Sequence, residues 1–132
     1  MHLHLVIIAV MSYDIWFYFF HRLLHQPFLY AYHKKHHGNV HPTWADTFTA
    51  DRLENSVSGI GVFAPYLYTQ DCMQEVFIAF VLCMARGVMH HDIRFAGITG
   101  THHLIHHQKF KHNYGEPWID YLMGTTYKPL VS

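Results

Sequence analysis

The sequence predicts an all-α fold: integral membrane helices with a helical cap on the cytosolic face that carries clustered histidines. Three observations predict it. Apolar residues make up 51% of the 132 positions and charged residues only 14%, against roughly a quarter charged in an ordinary soluble domain. Long apolar or uncharged runs recur at 5–20, 55–70 and 76–85. Fifteen histidines fall in short clusters at intervals of three and four, the intervals that bring side chains onto one helix face. Alternating strand patterns longer than a few residues, internal repeats and linkers are absent, and the length is room for one domain, 1–132.

The first run, Leu5 to Phe20, is interrupted only by Ser12, Tyr13 and Asp14. Sixteen helical residues reach about 24 Å, short of the roughly 30 Å hydrocarbon core; Met1 to His4 bring the segment close to a span. It lacks a small-residue cleavage site, which makes it a retained anchor rather than a signal peptide. The second and third runs are joined by the short polar link "TQDCMQE" and predict a helical hairpin that crosses the membrane or dips deeply into it. All nine Lys and Arg lie on the histidine side, whereas the hairpin tip carries Asp71 and Glu75 and no base. The bias of basic residues toward the cytosol then puts Lys34, Lys109, Lys128 and the histidines there, with Asp71 opposite. A soluble, very hydrophobic helical protein is the alternative. Cys72 and Cys83, without a CxxC, read as small buried hydrophobes. A formal net charge of zero excludes a generic nucleic-acid binder.

The clusters are ordered. His21 and His25 form an i, i+4 pair at the end of the first helix; His33, His36 and His37 form an i, i+3, i+4 triplet beyond Pro27. "HHLIHH" repeats that triplet as His103, His106 and His107, and His90 closes the third apolar run. Neutral imidazole is the commonest metal ligand, and nine such groups exceed one four-coordinate site, so they supply two ions at four to five ligands each. One HxxxH would be weak; three boxes at helical spacing on one membrane face are specific. Other chemistries lack their motifs. HExxH is absent, and "GITG" and "VSGIG" lack the Lys or Ser of a phosphate loop or nucleophile elbow. A bis-His haem would leave most of the set unexplained.

The order HxxxH, HxxHH, HxxHH, here "HRLLH", "HKKHH" and "HLIHH", resembles the fatty acid hydroxylase/sterol desaturase superfamily of membrane di-iron enzymes. "DIWFYFFHRLLH" resembles the family's Asp and Tyr ahead of the first box. "HHDIR" is similar to its His-x-x-Ile/Val-Arg element, which falls on His90, and "HNYGEPWIDYLMGTTYKP" is similar to the segment after the last box. The resemblance covers roughly residues 10 to 130. It implies two Fe ions on His21, His25, His33, His36, His37, His90, His103, His106 and His107, with zinc able to replace iron in recombinant preparations. Dioxygen would be co-substrate, and an unactivated C–H bond of a fatty acyl, sphingoid or sterol lipid would be hydroxylated or desaturated. A separate reductase or small haem cytochrome would donate electrons, in the endoplasmic reticulum or an equivalent membrane. Members carry a further hairpin upstream, which implies a minimal or N-terminally truncated form here.

Ligand imidazoles need acceptors for their remaining ring N–H. Asp14 stands two turns before His21 on the same face, and a carboxylate inside an apolar helix is costly unless paired or functional; it is expected to accept such a proton. Asp92, Glu54, Asn113 and Asp120 are weaker candidates for this role. His91 and His102 lie about 100° around the helix from neighbouring ligands and are expected to face solvent or support the ligands. His41 reads as a loop residue, and His2, His4 and His112 as surface or interfacial. Arg86 is expected to reach for the cytosolic interface. No catalytic residue beyond the metal centre is assigned. The rival readings are a non-enzymatic histidine-rich membrane protein that binds metal, and an inactive truncated relative.

Overall fold

The computed structural model describes residues 1–129. Seven α-helices follow one another: α1 (Leu3–Leu24), α2 (Tyr30–His33), α3 (Arg52–Val57), α4 (Met73–His90), α5 (Ala96–Thr99), α6 (His102–Lys109) and α7 (Pro117–Leu122). Single 3₁₀ segments lie at His36–Gly38, Trp44–Phe48, Ile60–Leu67 and Ile93–Phe95. Among the described residues there is no strand, so the fold is all-α.

Two helices, α1 with 22 residues and α4 with 18, are long and apolar enough to cross a bilayer. Their outer faces stay uncovered. Ile7, Met11, Ile15 and Phe19 form an exposed stripe at four-residue spacing along α1, and Phe77, Phe80, Val81 and Leu82 are exposed on α4. Uncovered apolar stripes of this length are what a lipid solvent, rather than water, tolerates.

α1 and α4 run parallel in constant register. At one end the His2 backbone N–H donates to Glu75 Oε1 at 2.7 Å, and further along Arg86 pairs with Asp14. The sequence separations, 73 and 72 residues, are nearly equal. Parallel neighbours require a return path. Asn39 to Leu67 supplies it, and the loop bearing Asp71 turns the chain at the end opposite the histidines.

The return arm departs from the expected apolar helix. Residues 55–70 contain only the end of α3 and an eight-residue 3₁₀ segment holding Pro65, which spans roughly 16 Å at 2 Å per residue. Pro65 lacks the N–H that α-helix would need, and Gly61 is where α1 comes closest. A Cβ there would lie 2.5 Å from Trp16 Cβ and 2.6 Å from Ser12 O. The Trp16 indole N–H donates to Val57 O at 2.8 Å, fixing the arm's level along α1. Leu5, Val6, Ala9, Val62, Cys72, Val76 and Ala79 then close an apolar core, with both cysteines free and buried.

The other end is built from short pieces that their capping residues define. Asp51 accepts from Leu53 N at 2.9 Å to start α3, and Thr43 and Asp46 form a reciprocal capping box on Trp44–Phe48. Asp92 accepts from the Arg94 backbone and guanidinium and from Trp44 N, so it pins Ile93–Phe95 to the Trp44 turn. Asp120, fully buried, accepts from Tyr114 N, Gly115 N and Thr125 Oγ1. That clamps the segment between α6 and α7 against Tyr18 of α1, whose hydroxyl lies 3.0 Å from Thr125 Oγ1.

Candidate metal centre

Nine imidazoles converge at the shared end of α1 and α4, in two groups. His21, His25, His33, His37 and His106 form one; His36, His91, His103 and His107 form the other. Within each, the candidate ligand atoms lie within 4.8 Å of one another. Helical spacing explains the division. Every i, i+4 pair shares a group: His21 with His25, His33 with His37, His103 with His107. The i+3 member of each triplet, His36 or His106, crosses to the other group. Each HxxHH box therefore contributes to both.

The rings are aimed by main-chain carbonyls. His21 Nδ1 lies 2.6 Å from Tyr114 O and His106 Nδ1 2.6 Å from His112 O. His107 Nδ1 lies 3.1 Å from Asn39 O, and His91 Nδ1 2.8 Å from Gly87 O. A carbonyl can only accept, so each Nδ1 carries the proton and each Nε2 of these neutral rings presents a lone pair.

Three of those Nε2 atoms, on His21, His106 and His91, face the Nε2 of other rings in their groups. His21 Nε2 is 2.9 Å from His33 Nε2, and His106 Nε2 is 3.1 Å from both His25 and His37 Nε2. In the second group His91 Nε2 is 3.0 Å from His36 and His103 Nε2. In each contact a carbonyl fixes one Nε2 as a lone pair; the facing ring meets it either as an Nε2–H donor or, with both nitrogens unprotonated, across a shared cation. For metal–nitrogen bonds of about 2.1 Å, ligands at right angles stand roughly 3.0 Å apart, so donor type and spacing fit a metal ion in each group.

Burial completes the preparation. It holds His25 and His107 down to about 4 and His33 to about 2, and it pushes His36, His37, His103 and His106 far below the usual imidazole range, with neighbouring imidazoles adding to the effect. All are neutral at physiological pH, the form that binds metal. Glu54 is buried with its Oε2 2.9 Å from His33 Nδ1; burial, then the charge of Asp51, raises its carboxyl to about 8.

Eight of the nine histidines expected as ligands come together, and His91 stands where His90 was expected. α4 ends at His90, and His91 is its C-cap. There its ring bonds back one turn to Gly87 O and turns inward, while His90 Nε2 faces Glu116 Oε1 at 3.3 Å. Asp14 also departs from expectation. It pairs with Arg86 instead of accepting from a histidine, and Arg86, bonded also to Glu116 at 3.1 Å, turns inward instead of toward the interface. Of the weaker candidates, Glu54 meets a group histidine, Asp92 and Asn113 tie loops, and Asp120 holds His102 Nε2 at 3.0 Å. Sequence reasoning missed the carbonyls of Asn39, Gly87, His112 and Tyr114, because main-chain acceptors leave no residue signature. His91 to Gly87, at i−4, was the exception that spacing could have found. A cavity of about 50 Å³ lies beside the four-histidine group, between Tyr13 and Phe17 of α1 and Cys83 and Gly87 of α4.

Fold and site together define a class: helical proteins with bilayer-length helices whose shared end buries two convergent imidazole groups. The fatty acid hydroxylase family model matches residues 6–125, and the chain belongs to that family. It is 35% identical to methylsterol monooxygenase erg25B of Aspergillus fumigatus, over 88% of this chain and 45% of that protein. Rat methylsterol monooxygenase 1 is 31% identical over 85% of the chain and 43% of its own length. Delta(7)-sterol 5(6)-desaturase ERG3B of Gibberella zeae is 30% identical over 89% and 40%. The chain thus spans less than half the length of these relatives. No solved structure matches it.

Proposed function

We propose that the protein is a membrane-bound, oxygen-dependent oxidoreductase that hydroxylates or desaturates an unactivated C–H bond of a lipid at a histidine-ligated di-iron centre. The observation that carries this reading is the pair of imidazole groups whose Nε2 atoms converge at about 3 Å. The relatives are named for sterol oxidation, which favours a sterol among the possible lipids. We assign this chain's electron supply to a separate reductase or small haem cytochrome, and its site to the cytosolic face of the endoplasmic reticulum or an equivalent membrane.

His21, His25, His33, His37 and His106 would hold one ion and His36, His91, His103 and His107 the other. When bound, iron supplies the activation of dioxygen, with two electrons from the donor, that C–H oxidation requires. The chain's own part is to fix and shield. Carbonyls of Tyr114, His112, Asn39 and Gly87 hold the Nδ1 protons, so the ligand atoms cannot tautomerise away from the metal. Tyr13, Phe17 and Cys83 wall the adjoining cavity with apolar surface and keep bulk water out. The Asp14–Arg86–Glu116 network ties α1, α4 and the start of α7 together behind it.

Purified under reducing conditions, the protein should hold close to two metal ions per chain. His36→Ala and His106→Ala should each release metal with helix content largely kept. Unchanged metal content in both variants would reject the assignment. Zinc in a preparation decides nothing, since imidazole binds it at least as well as ferrous iron; lipid oxidation after iron reconstitution does.

A further inference from the structure

The two groups differ in their outer support. Four of the nine rings have Nδ1 on a main-chain carbonyl; His33 has a carboxylate instead. Glu54 is 6% exposed, its Oε2 stands 2.9 Å from His33 Nδ1, and both atoms are buried without a hydrogen-bond partner among the described residues. Two buried, unpartnered polar atoms at that separation need only a small ring rotation to serve each other, and leaving either unmet is costly. Across the ring, His33 Nε2 lies 2.9 Å from His21 Nε2 in the five-histidine group. His33 has no connection of this kind to the four-histidine group.

We propose that Glu54 is a positioning residue for one ion alone: its carboxyl oxygen accepts a hydrogen bond from the Nδ1–H of His33 and so orients that ligand in the five-histidine group. Its place follows from α3, which Asp51 starts with a cap to Leu53 N and which returns past the boxes toward α1. An acceptor on the far nitrogen fixes the tautomer and direction of a ligand imidazole, and loss of such a partner typically costs about 10–100-fold in metal affinity. This rests on the reading of the two groups as metal sites.

Cobalt(II) titration of the full chain in detergent, followed by its visible absorption, tests both. The wild type should bind two equivalents; fewer than two would reject the metal reading itself, before Glu54 is considered. Glu54→Leu keeps the volume and removes the acceptor, and should weaken one equivalent about 10–100-fold while leaving the other unchanged. Glu54→Gln, whose amide oxygen can still accept from His33, should recover much of the loss. With His103→Ala, which disables the four-histidine group, the remaining equivalent should stay sensitive to Glu54→Leu. With His106→Ala, the remaining equivalent should be indifferent to it. Wild-type affinity for both ions in Glu54→Leu would overturn the proposal, as would equal weakening of both or no recovery with Gln. A Glu54→Leu chain that does not fold leaves the decision to Glu54→Gln: affinity for the five-histidine ion below one-hundredth of wild type would overturn it as well.

Discussion

The two ends of the helical pair are equally buried and differently held. At the Asp71 end, Leu5, Val6, Ala9, Val62, Val76 and Ala79 pack apolar surface on apolar surface, and close van der Waals packing holds them together. At the other end nine imidazoles converge with their ring nitrogens close together, and desolvation of so many polar rings opposes folding. The first half is complete as a protein; on the proposed reading the second would be completed by cations. Binding and folding would then be coupled at one end of the molecule and not at the other.

The largest expected effect breaks that comparison directly. Exhaustive chelation should strip protection from amide exchange across 30–48 and 91–115, while α1 and α4 keep theirs through their middle turns. Structural sites of this kind contribute on the order of 10 kcal/mol per ion. A cap that stays protected without metal would show that the imidazoles hold themselves together and that the two halves do not differ as described.

Next in size is the contrast between neighbours. His91→Ala should cost one of the two ions and abolish lipid oxidation. His90→Ala should keep both ions and a measurable part of the activity, because its Nε2 meets Glu116 and its ring touches the groups only edge-on at His103, 6.5 Å between centroids. Equal loss at both positions would widen the ligand set to include His90.

Gly61→Ala probes the apolar half. The added methyl meets Ser12 O and the Cα of Tyr13, which are backbone atoms and cannot rotate aside, so unfolding free energy should fall by about 1–3 kcal/mol with metal content unchanged. The smallest effect is Ile119→Val. Ile119 packs with Tyr18 and Tyr114 beside the five-histidine group, and the loss should be about 0.5–1.5 kcal/mol without a change in metal affinity. Metal loss in either variant would show that the halves are mechanically coupled.

What was legible in the sequence follows from which signals are local. The boxes could be read because intervals of three and four fix relative direction locally, and this brings out the pairing of His103 with His107 within α6, while His33 and His37 pair across the turn between α2 and the 3₁₀ segment His36–Gly38. The all-helical class followed from the same periodicity and the long apolar runs. His90 was chosen over His91 because the resemblance, and the assumption of a continuing helix, point to the first of the two. The helix stops there, and beyond a terminus helical phase no longer predicts direction. Asp14 read as a histidine partner because it shares the His21 face; its partner Arg86 comes from 72 residues away, a distance over which one sequence carries no phase. Residues 55–70 read as an apolar helix by composition, yet Gly61 and Pro65 serve close approach to α1 and break the α-helical path.

The near-constant offset between α1 and α4, 73 residues at one end and 72 near the other, has a consequence for synthesis. Parallel alignment means that the first helix must wait, already inserted, until the whole return arm and the fourth helix have left the ribosome. Only then do His21 and His25 meet His103 and His106, some 80 residues later. On the proposed reading, ion capture thus waits until the residues through His107 have been made. A cell short of the metal would accumulate inserted but unsealed molecules, whose exposed cap marks them for membrane-associated degradation. Abundance of the protein should therefore follow metal supply with its messenger level unchanged.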